Sequence, residues 1–113
     1  MDCLFCKIIN REIPADIVYE DEQVLAFNDI DPKAPTHMLV IPKKHIPTLN
    51  DIAEEDLALV GRLPYVAANL ARDKGFAEDG FRVVMNCNED GGQTVYHIHM
   101  HVMGGRRFTW PAG

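Results

Sequence analysis

The sequence has no long hydrophobic run and no excess of positive charge, and both absences limit what this protein can do. None of its apolar stretches approaches the ~20 residues of a membrane-spanning helix, and residues 1–6 lack the composition of a signal peptide. The formal net charge is −6 and the sequence pI about 5.2, which argues against binding nucleic acid by neutralising many phosphates. We therefore expect a cytoplasmic protein without a membrane or nucleic-acid partner, built as one domain over residues 1–113.

What the sequence does have is a regular row of histidines near its C-terminal end. His97, His99 and His101, three of the five histidines, alternate with apolar residues. Alternation with period two predicts a strand over 95–103, with the histidines on one face and the apolar residues on the other. Because imidazole binds metals and can act as a nucleophile or an acid/base group near neutral pH, the row predicts a functional site.

Geometry limits what three histidines on one strand can share. At about 3.3 Å per residue the first and third lie ~13 Å apart, whereas zinc–nitrogen bonds are about 2.0–2.1 Å long. One ion cannot take all three without a bulge, so we expect one end of the row to bind a metal. The other histidines then provide a nucleophile and a group that hands a proton to a leaving group. A row of surface or core histidines without chemistry is the alternative.

The remaining patterns indicate an α+β fold. Apolar runs predict strands at 17–19, 24–27, 37–41 and 81–85, the first two joined through a hairpin connection at 20–23. A capping-box pattern at Asp51 and Glu54 predicts the start of a helix whose apolar stripe begins at Leu57 and which Gly75 can end. Pro64 predicts a kink or a break inside it. Four or five strands with one main helix favour an antiparallel sheet.

A polar loop over 86–94 precedes the histidine strand and contains two adjacent glycines, Gly91 and Gly92. Such glycines allow backbone N–H groups to turn towards a ligand, and the Thr94 hydroxyl adds a donor. The loop therefore suits a phosphate placed beside His99, although a Gly-Gly pair is also typical of an ordinary turn. The basic pairs at 43–44 and 106–107 receive no role, because exposed basic residues usually only face solvent.

Together these motifs resemble the histidine-triad (HIT) family, and within it the Hint branch of nucleotide-binding phosphoramidases. The family signature is His-φ-His-φ-His-φ-φ, with φ apolar, and residues 97–103 match every position. The likeness covers nearly the whole chain, from Phe5 through 27–30, 34–37, 41–45 and 91–96 to the tail at 110–113. It implies a HIT-like α+β fold with a five-stranded antiparallel sheet, one main helix and a short N-terminal helix.

The resemblance also implies a mechanism. In the family the middle histidine, here His99, attacks the α-phosphorus of a nucleoside phosphoramidate and forms a nucleotidyl-imidazole intermediate that water hydrolyses. By likeness His101 contacts the phosphate and assists proton transfer, and His37 lies next to the triad. The residues implied on the phosphate side of the nucleotide are Asn86, Gly92, Gln93, Thr94 and Val95. Many family members have serine where this chain has Thr94.

The implied nucleoside pocket lies in the N-terminal half of the chain. By matched position, an apolar slot for the purine is formed by Phe5, Ile8, Phe27, Ile30 and Leu39. Asp29 accepts hydrogen bonds from the ribose hydroxyls in this reading, although it could equally be a turn residue ahead of Asp31. The implied substrate is a purine nucleoside 5′-phosphoramidate, whose P–N bond is hydrolysed to release AMP or GMP.

A second motif is the pair Cys3-x-x-Cys6. In a cytosolic chain such a pair indicates a metal or redox site and not a structural disulfide. Several bacterial family members with this pair bind Zn²⁺ through both cysteines and two histidines, which correspond here to His45 and His97. Because a closed Cys₂His₂ site leaves no open position, the zinc is structural and catalysis requires no cofactor. Cys87 is interpreted as a small buried residue.

The family's homodimer has a sheet that continues across both subunits. By likeness the tail at about 104–113 reaches towards the partner's site through Trp110; a frayed aromatic tail is the alternative. Two other functions stay open. A dinucleoside polyphosphate hydrolase of the same superfamily matches less well, because that branch has a glutamine-rich approach to the triad and lacks the Trp-Pro tail. A nucleotide- or zinc-binding adaptor without turnover is the alternative from another class.

Overall fold

The computed structural model describes residues 2–113 and is centred on a five-stranded antiparallel sheet, in the order β1-β2-β3-β5-β4. The strands are β1 (Ile17–Glu20), β2 (Val24–Asn28), β3 (Thr36–Pro42), β4 (Arg82–Val84) and β5 (Met100–Gly104). The helices are α1 (Leu4–Ile9), α2 (Leu57–Lys74) and α3 (Asn88–Gly91), and the 3₁₀ turns Leu49–Asp51 and Glu54–Asp56 precede α2. The predicted fold class, sheet, main helix and short N-terminal helix are confirmed.

Both faces of the sheet are covered, which explains why its central strands are continuous apolar runs. On β2, Val24 and Ala26 pack with α2, whereas Leu25 and Phe27 pack with α1 on the opposite face. The register places Phe27 opposite Leu39 of β3. Directly opposed residues share a face of the sheet, so both side chains lie beneath α1. The α1 face is also the face on which the candidate site forms.

Helix α2 begins later than predicted. The predicted capping box at Asp51 and Glu54 does not form, because Asp51 Oδ2 accepts a hydrogen bond from the Thr48 hydroxyl at 2.8 Å. The local cap lies five residues further on, where Asp56 Oδ2 accepts the Ala53 N–H at 3.0 Å. The helix starts at Leu57, whose side chain is 61% exposed and does not belong to the buried stripe.

The helix continues through Pro64, so the predicted break is wrong. Proline removes a single backbone donor, and buried contacts of Leu63 and Ala67 with the sheet hold the helix on both sides of it. The helix ends at Gly75, which has a φ of +86°, as predicted. Neither α2 nor any other helix within residues 2–113 has the length and apolar character needed to span a membrane.

The strand predicted over 95–103 is shorter, because β5 begins only at Met100 and leaves His97 and His99 in irregular backbone ahead of it. Its start is displaced by a competing contact, in which the Ile98 N–H donates to the Ile46 carbonyl at 2.8 Å. The alternation of faces persists, since the apolar residues between the histidines are buried on the α2 side. The histidines therefore point towards the α1 side without forming a straight row.

Two connections also differ in detail from the predictions. The hairpin loop has three residues, 21–23, and the Asp21 carboxylate accepts the N–H groups of Gln23 and Val24 at 2.8 Å each. The predicted loop over 86–94 contains the single helical turn α3. Short helical turns of this kind carry little apolar periodicity, so the sequence pattern does not indicate them.

Candidate active site and metal centre

A cavity of about 290 Å³ opens between α1 and the sheet. Its lining is mostly apolar and includes two histidines of the triad. Ten residues predicted to contact the nucleotide line it, namely Phe5, Ile8, Phe27, Asp29, Ile30, Leu39, Thr94, Val95, His99 and His101. Ile30 is 99% exposed and therefore forms only the rim. An apolar cleft with a few polar groups at one end is the usual form of a small-molecule site.

Helix α1 supplies one wall of this cavity and holds the imidazole of His99 in place. The Phe5 ring packs edge-on against His99, with ring centroids 5.1 Å apart and an interplanar angle of 89°. It also packs against Phe27 at 5.4 Å. His99 is only 8% exposed, so these aromatic contacts leave its ring little freedom to turn.

A backbone carbonyl determines which nitrogen of His99 is reactive. His99 Nδ1 lies 2.8 Å from the His97 carbonyl oxygen. Because a carbonyl oxygen only accepts, Nδ1 carries the proton and the lone pair of the neutral ring is on Nε2. Among residues 2–113 no hydrogen bond to Nε2 is found. The ring is thus prepared to attack an electrophile in the cavity through Nε2.

A chain of hydrogen bonds fixes the protons of His37 and His101 in the same way. The Lys33 N–H donates to His37 Nδ1 at 3.0 Å, so His37 carries its proton on Nε2. His37 Nε2 lies 2.9 Å from His101 Nδ1, which must therefore accept. His101 then carries its own proton on Nε2, and this N–H is the donor that the triad can offer to a ligand in the cavity.

Burial keeps both of these imidazoles neutral at physiological pH. Burial lowers the pKa of His37, despite the nearby carboxylate of Asp29. Burial, with smaller contributions from His99 and His37, lowers the pKa of His101 to about 4. Neutral rings are required by the hydrogen-bond chain, since adding a proton to His101 Nδ1 would place two N–H groups face to face.

Asp29 serves the turn ahead of β3 and also faces the site. Its Oδ1 accepts the Asp31 N–H at 2.8 Å, as expected for a turn residue. Its Oδ2 lies 3.4 Å from His37 Nε2, and the residue lines the cavity. The turn role, one of the two readings of the sequence, is therefore present, and Oδ2 is the oxygen available for the predicted contact with a ribose.

The loop over 86–94 does not form the phosphate-binding turn that its glycines suggest, because several of its backbone N–H groups are used inside the loop. The N–H groups of Gly92 and Gln93 donate within the loop, to Glu89 and Asn88 carbonyls, each at 3.0 Å. The Gln93 side chain is buried and bonds the backbone of Asn88, Pro47 and Val95.

Asn86, Gly92 and Gln93 do not line the cavity, whereas Thr94 and Val95 do. Thr94 is therefore the hydroxyl-bearing member of this loop that lines the same cavity as His99 and His101.

The four predicted metal ligands meet at one point beside α1. Cys3, Cys6, His45 and His97 bring their sulfur and Nδ1 atoms within 4.8 Å of one another. The His97 Nε2 lies 2.7 Å from the Pro42 carbonyl oxygen, so it carries the proton and leaves the Nδ1 lone pair facing the cluster. The Cys6 N–H donates to Cys3 Sγ at 3.3 Å, and this hydrogen bond caps α1.

The spacing of these donor atoms fits a tetrahedral metal. The two Nδ1 atoms are 3.2 Å apart, and three nitrogen–sulfur pairs are separated by 3.4, 3.5 and 3.6 Å. Tetrahedral zinc, with bonds of about 2.0–2.1 Å to nitrogen and about 2.3 Å to sulfur, requires separations of about 3.4 and 3.6 Å. Burial raises the pKa of Cys6 to about 11, and the hydrogen bond and charge of Cys3 contribute to this rise. A bound cation would therefore stabilise the Cys6 thiolate. The cluster can hold a metal.

A second group of possible ligands, Asp29, His37 and His101, does not have the right protonation for a metal. The nitrogen of His37 that faces the other two residues is Nε2, and the Lys33 N–H at Nδ1 forces the proton onto it. A protonated nitrogen cannot coordinate a cation. The group is a hydrogen-bond chain and not a second metal centre.

Sequence reasoning missed several groups that shape the site. Leu4, Ile13, Pro14, Ala15 and Asn28 also line the cavity. Their apolar members follow no pattern that separates a cavity wall from core. The Lys33 N–H and the Pro42 carbonyl orient His37 and His97 through backbone atoms, and such atoms leave no trace in side-chain chemistry.

This arrangement defines a class of protein in which two histidines of a closely spaced row line an apolar cavity, beside a cysteine–histidine cluster that can hold a metal. The chain belongs to the HIT family, since residues 10–108 match the HIT domain. It is 57% identical over 105 residues to the purine nucleoside phosphoramidase of Escherichia coli (strain K12), covering 93% of this chain and 88% of that protein. It is also 53% identical to an uncharacterized HIT-like protein of Synechocystis, covering 99% and 97% of the two chains.

Comparison with solved structures also identifies members of the HIT family. A HIT family hydrolase from Legionella pneumophila Philadelphia 1 has a TM-score of 0.97 and 54% identity, covering 99% of this chain and 100% of that one. A histidine triad protein from Clostridium difficile has a TM-score of 0.93 and 50% identity, covering 96% and 95% of the two chains. The family resemblance stated from the sequence motifs is confirmed.

The lowered pKa of His101 predicts that the protein loses stability in mild acid. An unfolded chain takes up a proton at this imidazole near its ordinary pKa of 6.5, whereas the folded protein does so only near pH 4. Between these values the unfolded state binds more protons, so the free energy of unfolding falls as the pH is lowered. Urea denaturation at a series of pH values should show this fall, and His101→Gln should reduce its slope. Identical slopes for the two proteins would contradict the assignment.

Proposed function

We propose that this protein hydrolyses purine nucleoside 5′-phosphoramidates, cleaving the P–N bond and releasing AMP or GMP. The observation that carries the proposal is the tautomer of His99, which lines an apolar cavity and whose Nδ1 bond to the His97 carbonyl leaves the lone pair on Nε2. The cavity has aromatic walls for a flat base and a carboxylate, Asp29, for a ribose. The 57% identity to a protein named purine nucleoside phosphoramidase supports the same substrate class.

In the first step His99 Nε2 attacks the α-phosphorus, forming a nitrogen–phosphorus bond as the bond to the amine breaks. The departing amine nitrogen takes up one proton from the Nε2–H of His101, and solvent returns a proton to His101. The nucleotidylated ring of His99 is cationic, and its Nδ1–H donates to the His97 carbonyl, which stabilises this charge.

In the second step water attacks the same phosphorus and the bond to His99 Nε2 breaks. One proton of that water returns to solvent, the nucleoside monophosphate leaves, and His99 regains its lone pair. The backbone carbonyl of His97 accepts from Nδ1 throughout, so the ring does not need to rotate between the steps.

The same site also ranks the two alternative functions. A binding adaptor without turnover has no need for an unprotonated nitrogen oriented into the cavity, so the His99 geometry favours an enzyme. A dinucleoside polyphosphate hydrolase could use the same nucleophile. It is ranked lower because the chain retains the tail at 110–113 and closely resembles a protein named a phosphoramidase.

Replacing the nucleophile should separate binding from chemistry. We expect His99→Ala to lower kcat for an adenosine phosphoramidate by at least about a thousandfold, because no covalent intermediate can form. AMP should bind the variant with a Kd within about threefold of wild type, since the walls of the cavity are unchanged. Steady-state kinetics and calorimetry measure the two quantities. Equal turnover by wild type and His99→Ala would contradict the proposed mechanism.

We further propose that the cysteine–histidine cluster binds one structural Zn²⁺. The two sulfur and two nitrogen donors, their separations and the neutral state of His97 support zinc as the occupant. Four protein ligands leave no open position, so the metal would add stability and take no part in the reaction. Bound there, it would fasten α1, which carries Cys3 and Cys6 on either side of the cavity residue Phe5.

Elemental analysis tests the zinc proposal directly. Protein purified without added metal should contain about one zinc per chain, as a closed tetrahedral site requires. Cys6→Ser should lose the metal and melt at a lower temperature, because the variant lacks one of the four ligands. Cys87→Ser is the matched control and should keep its zinc, since Cys87 lies outside the cluster. If wild-type protein with reduced cysteines contained no zinc, the proposal would be wrong.

We propose that the functional form is a homodimer. Support comes from β4, which pairs with β5 on one side and, within residues 2–113, has no strand on the other. Val83 on that strand is 40% exposed, and Trp110 of the tail is 84% exposed. Burying such residues against a second copy would extend the sheet and bring the tail of one subunit towards the site of the other. Light scattering should give twice the chain mass of 12.7 kDa, and a mass of one chain would contradict the dimer.

A further inference from the structure

We propose that Arg106 is a positioning residue for the active site, which acts by fixing the backbone of Lys33 and through it the protons of His37 and His101. The inference deepens the proposed function and rests on it, because the group finally oriented is the Nε2–H of His101, a residue that lines the cavity proposed to bind the substrate. Arg106 lies outside the cavity and does not touch a ligand placed there.

The contact between Arg106 and Lys33 is specific. Arg106 Nε and Nη2 lie 3.2 and 3.0 Å from the Lys33 carbonyl oxygen, although the two residues are 73 positions apart. The guanidinium also stacks on the Phe108 ring, with its central carbon 4.1 Å from the ring centroid. A planar group held by stacking and by two donors on one acceptor keeps a defined orientation even at an exposed site.

The segment that carries Arg106 approaches the Lys33 loop very closely, and Gly105 makes this approach possible. A Cβ at position 105 would lie 2.9 Å from the Cβ of Pro35, and Gly105 has a φ of +92°. Other residues would be strained in that conformation and would push the loop away. The chain following β5 therefore packs directly against the loop between β2 and β3.

Lys33 connects Arg106 to His37 because its backbone carbonyl and its backbone N–H lie on either side of the same Cα. Its carbonyl is held by Arg106, while its N–H donates to His37 Nδ1 at 3.0 Å. That N–H forces the proton of His37 onto Nε2, which in turn makes His101 an acceptor at Nδ1 and a donor at Nε2. An exposed guanidinium thus sets the direction of an N–H group inside the cavity.

Without Arg106 the far end of this loop loses its anchor. The near end is still held by the Asp31 N–H to Asp29 Oδ1, but the Lys33 side chain pairs only with the exposed carboxylate of Asp31. Once Lys33 can move, His37 Nδ1 loses its hydrogen-bond donor and can carry the proton, although the Asp29 carboxylate, 3.4 Å from Nε2, still favours the original tautomer in part of the molecules. With the proton on Nδ1, His37 Nε2 accepts a hydrogen bond from His101 Nδ1. His101 then carries its proton on Nδ1 and no longer has an N–H at Nε2.

The test compares Arg106→Met with Arg107→Met. Both remove one positive charge and keep an unbranched side chain, but among residues 2–113 no hydrogen bond is formed by the Arg107 side chain. We expect Arg106→Met to lower kcat about tenfold with KM within about twofold, part of the 10²–10⁴-fold effect typical of a proton-transfer group. Arg107→Met should change neither constant by more than about twofold. Equal losses in the two variants would overturn the proposal.

A double-mutant cycle shows whether Arg106 acts through His37. In a His37→Ala background, Arg106→Met should cost less than about twofold further in kcat, because the chain is already broken. A full additional tenfold loss would overturn the proposal.

Nitrogen NMR of the protein without substrate provides a readout that a merely structural role would not move. Wild type should show His37 and His101 protonated at Nε2, and Arg106→Met should show a mixture of tautomers for His37. A His37 protonated at Nδ1 in wild type, or unchanged tautomers in the variant, would overturn the proposal, and the wild-type measurement decides even if the variant fails to fold. Because no substrate is used, a chain without phosphoramidase activity would refute the proposed function and leave this result standing.

Discussion

The hydrogen bond from His99 Nδ1 to the His97 carbonyl is the interaction on which the rest of the site depends. It selects the tautomer with a lone pair on Nε2 and holds the ring through a backbone atom that cannot change its protonation. His97 is itself fixed twice, by the Pro42 carbonyl at Nε2 and by the cysteine–histidine cluster at Nδ1. The proposed nucleophile, His99, is therefore oriented by a residue that belongs to the candidate metal centre.

The short helix α1 unites the two sites. It begins beside Cys3, contains Cys6, and between them places Phe5 against both His97 and His99. Six residues cannot form a stable helix in isolation, so α1 depends on contacts with the sheet and on the thiol groups at its start. A metal at that position would stabilise one wall of the cavity, so the proposed ion would have a structural role although it would lie close to His99.

Much of the fold could be predicted from side-chain patterns, whereas the residues of the nucleotide pocket are predicted from the family resemblance. Alternation around His99, the apolar runs of β2 and β3 and the glycine that ends α2 each have a direct physical cause in the sequence. The errors arise where backbone contacts decide. Ile98 bonds to Ile46 and so delays the start of β5, and Asp56 rather than Asp51 provides the cap before α2.

The glycine loop shows the same limit. Its residue types suit a phosphate, but the N–H groups of Gly92 and Gln93 are used inside the loop, and a sequence does not reveal which donors are already occupied. The roles of Lys33 and Arg106 escape sequence reasoning for a related reason. Lys33 acts through its backbone N–H and carbonyl, and the Arg106 side chain acts only through its contact with that carbonyl, so neither residue type indicates the histidine pair that they orient.

The central claim is that the reaction passes through a covalent bond between phosphorus and His99 Nε2. Rapid acid-free quenching of wild type with an adenosine phosphoramidate, followed by peptide mass spectrometry, tests it most directly. The account predicts an adenylyl group on His99 that forms before AMP is released and disappears as substrate is exhausted. Turnover without any protein adduct, or an adduct on a different residue, would contradict it.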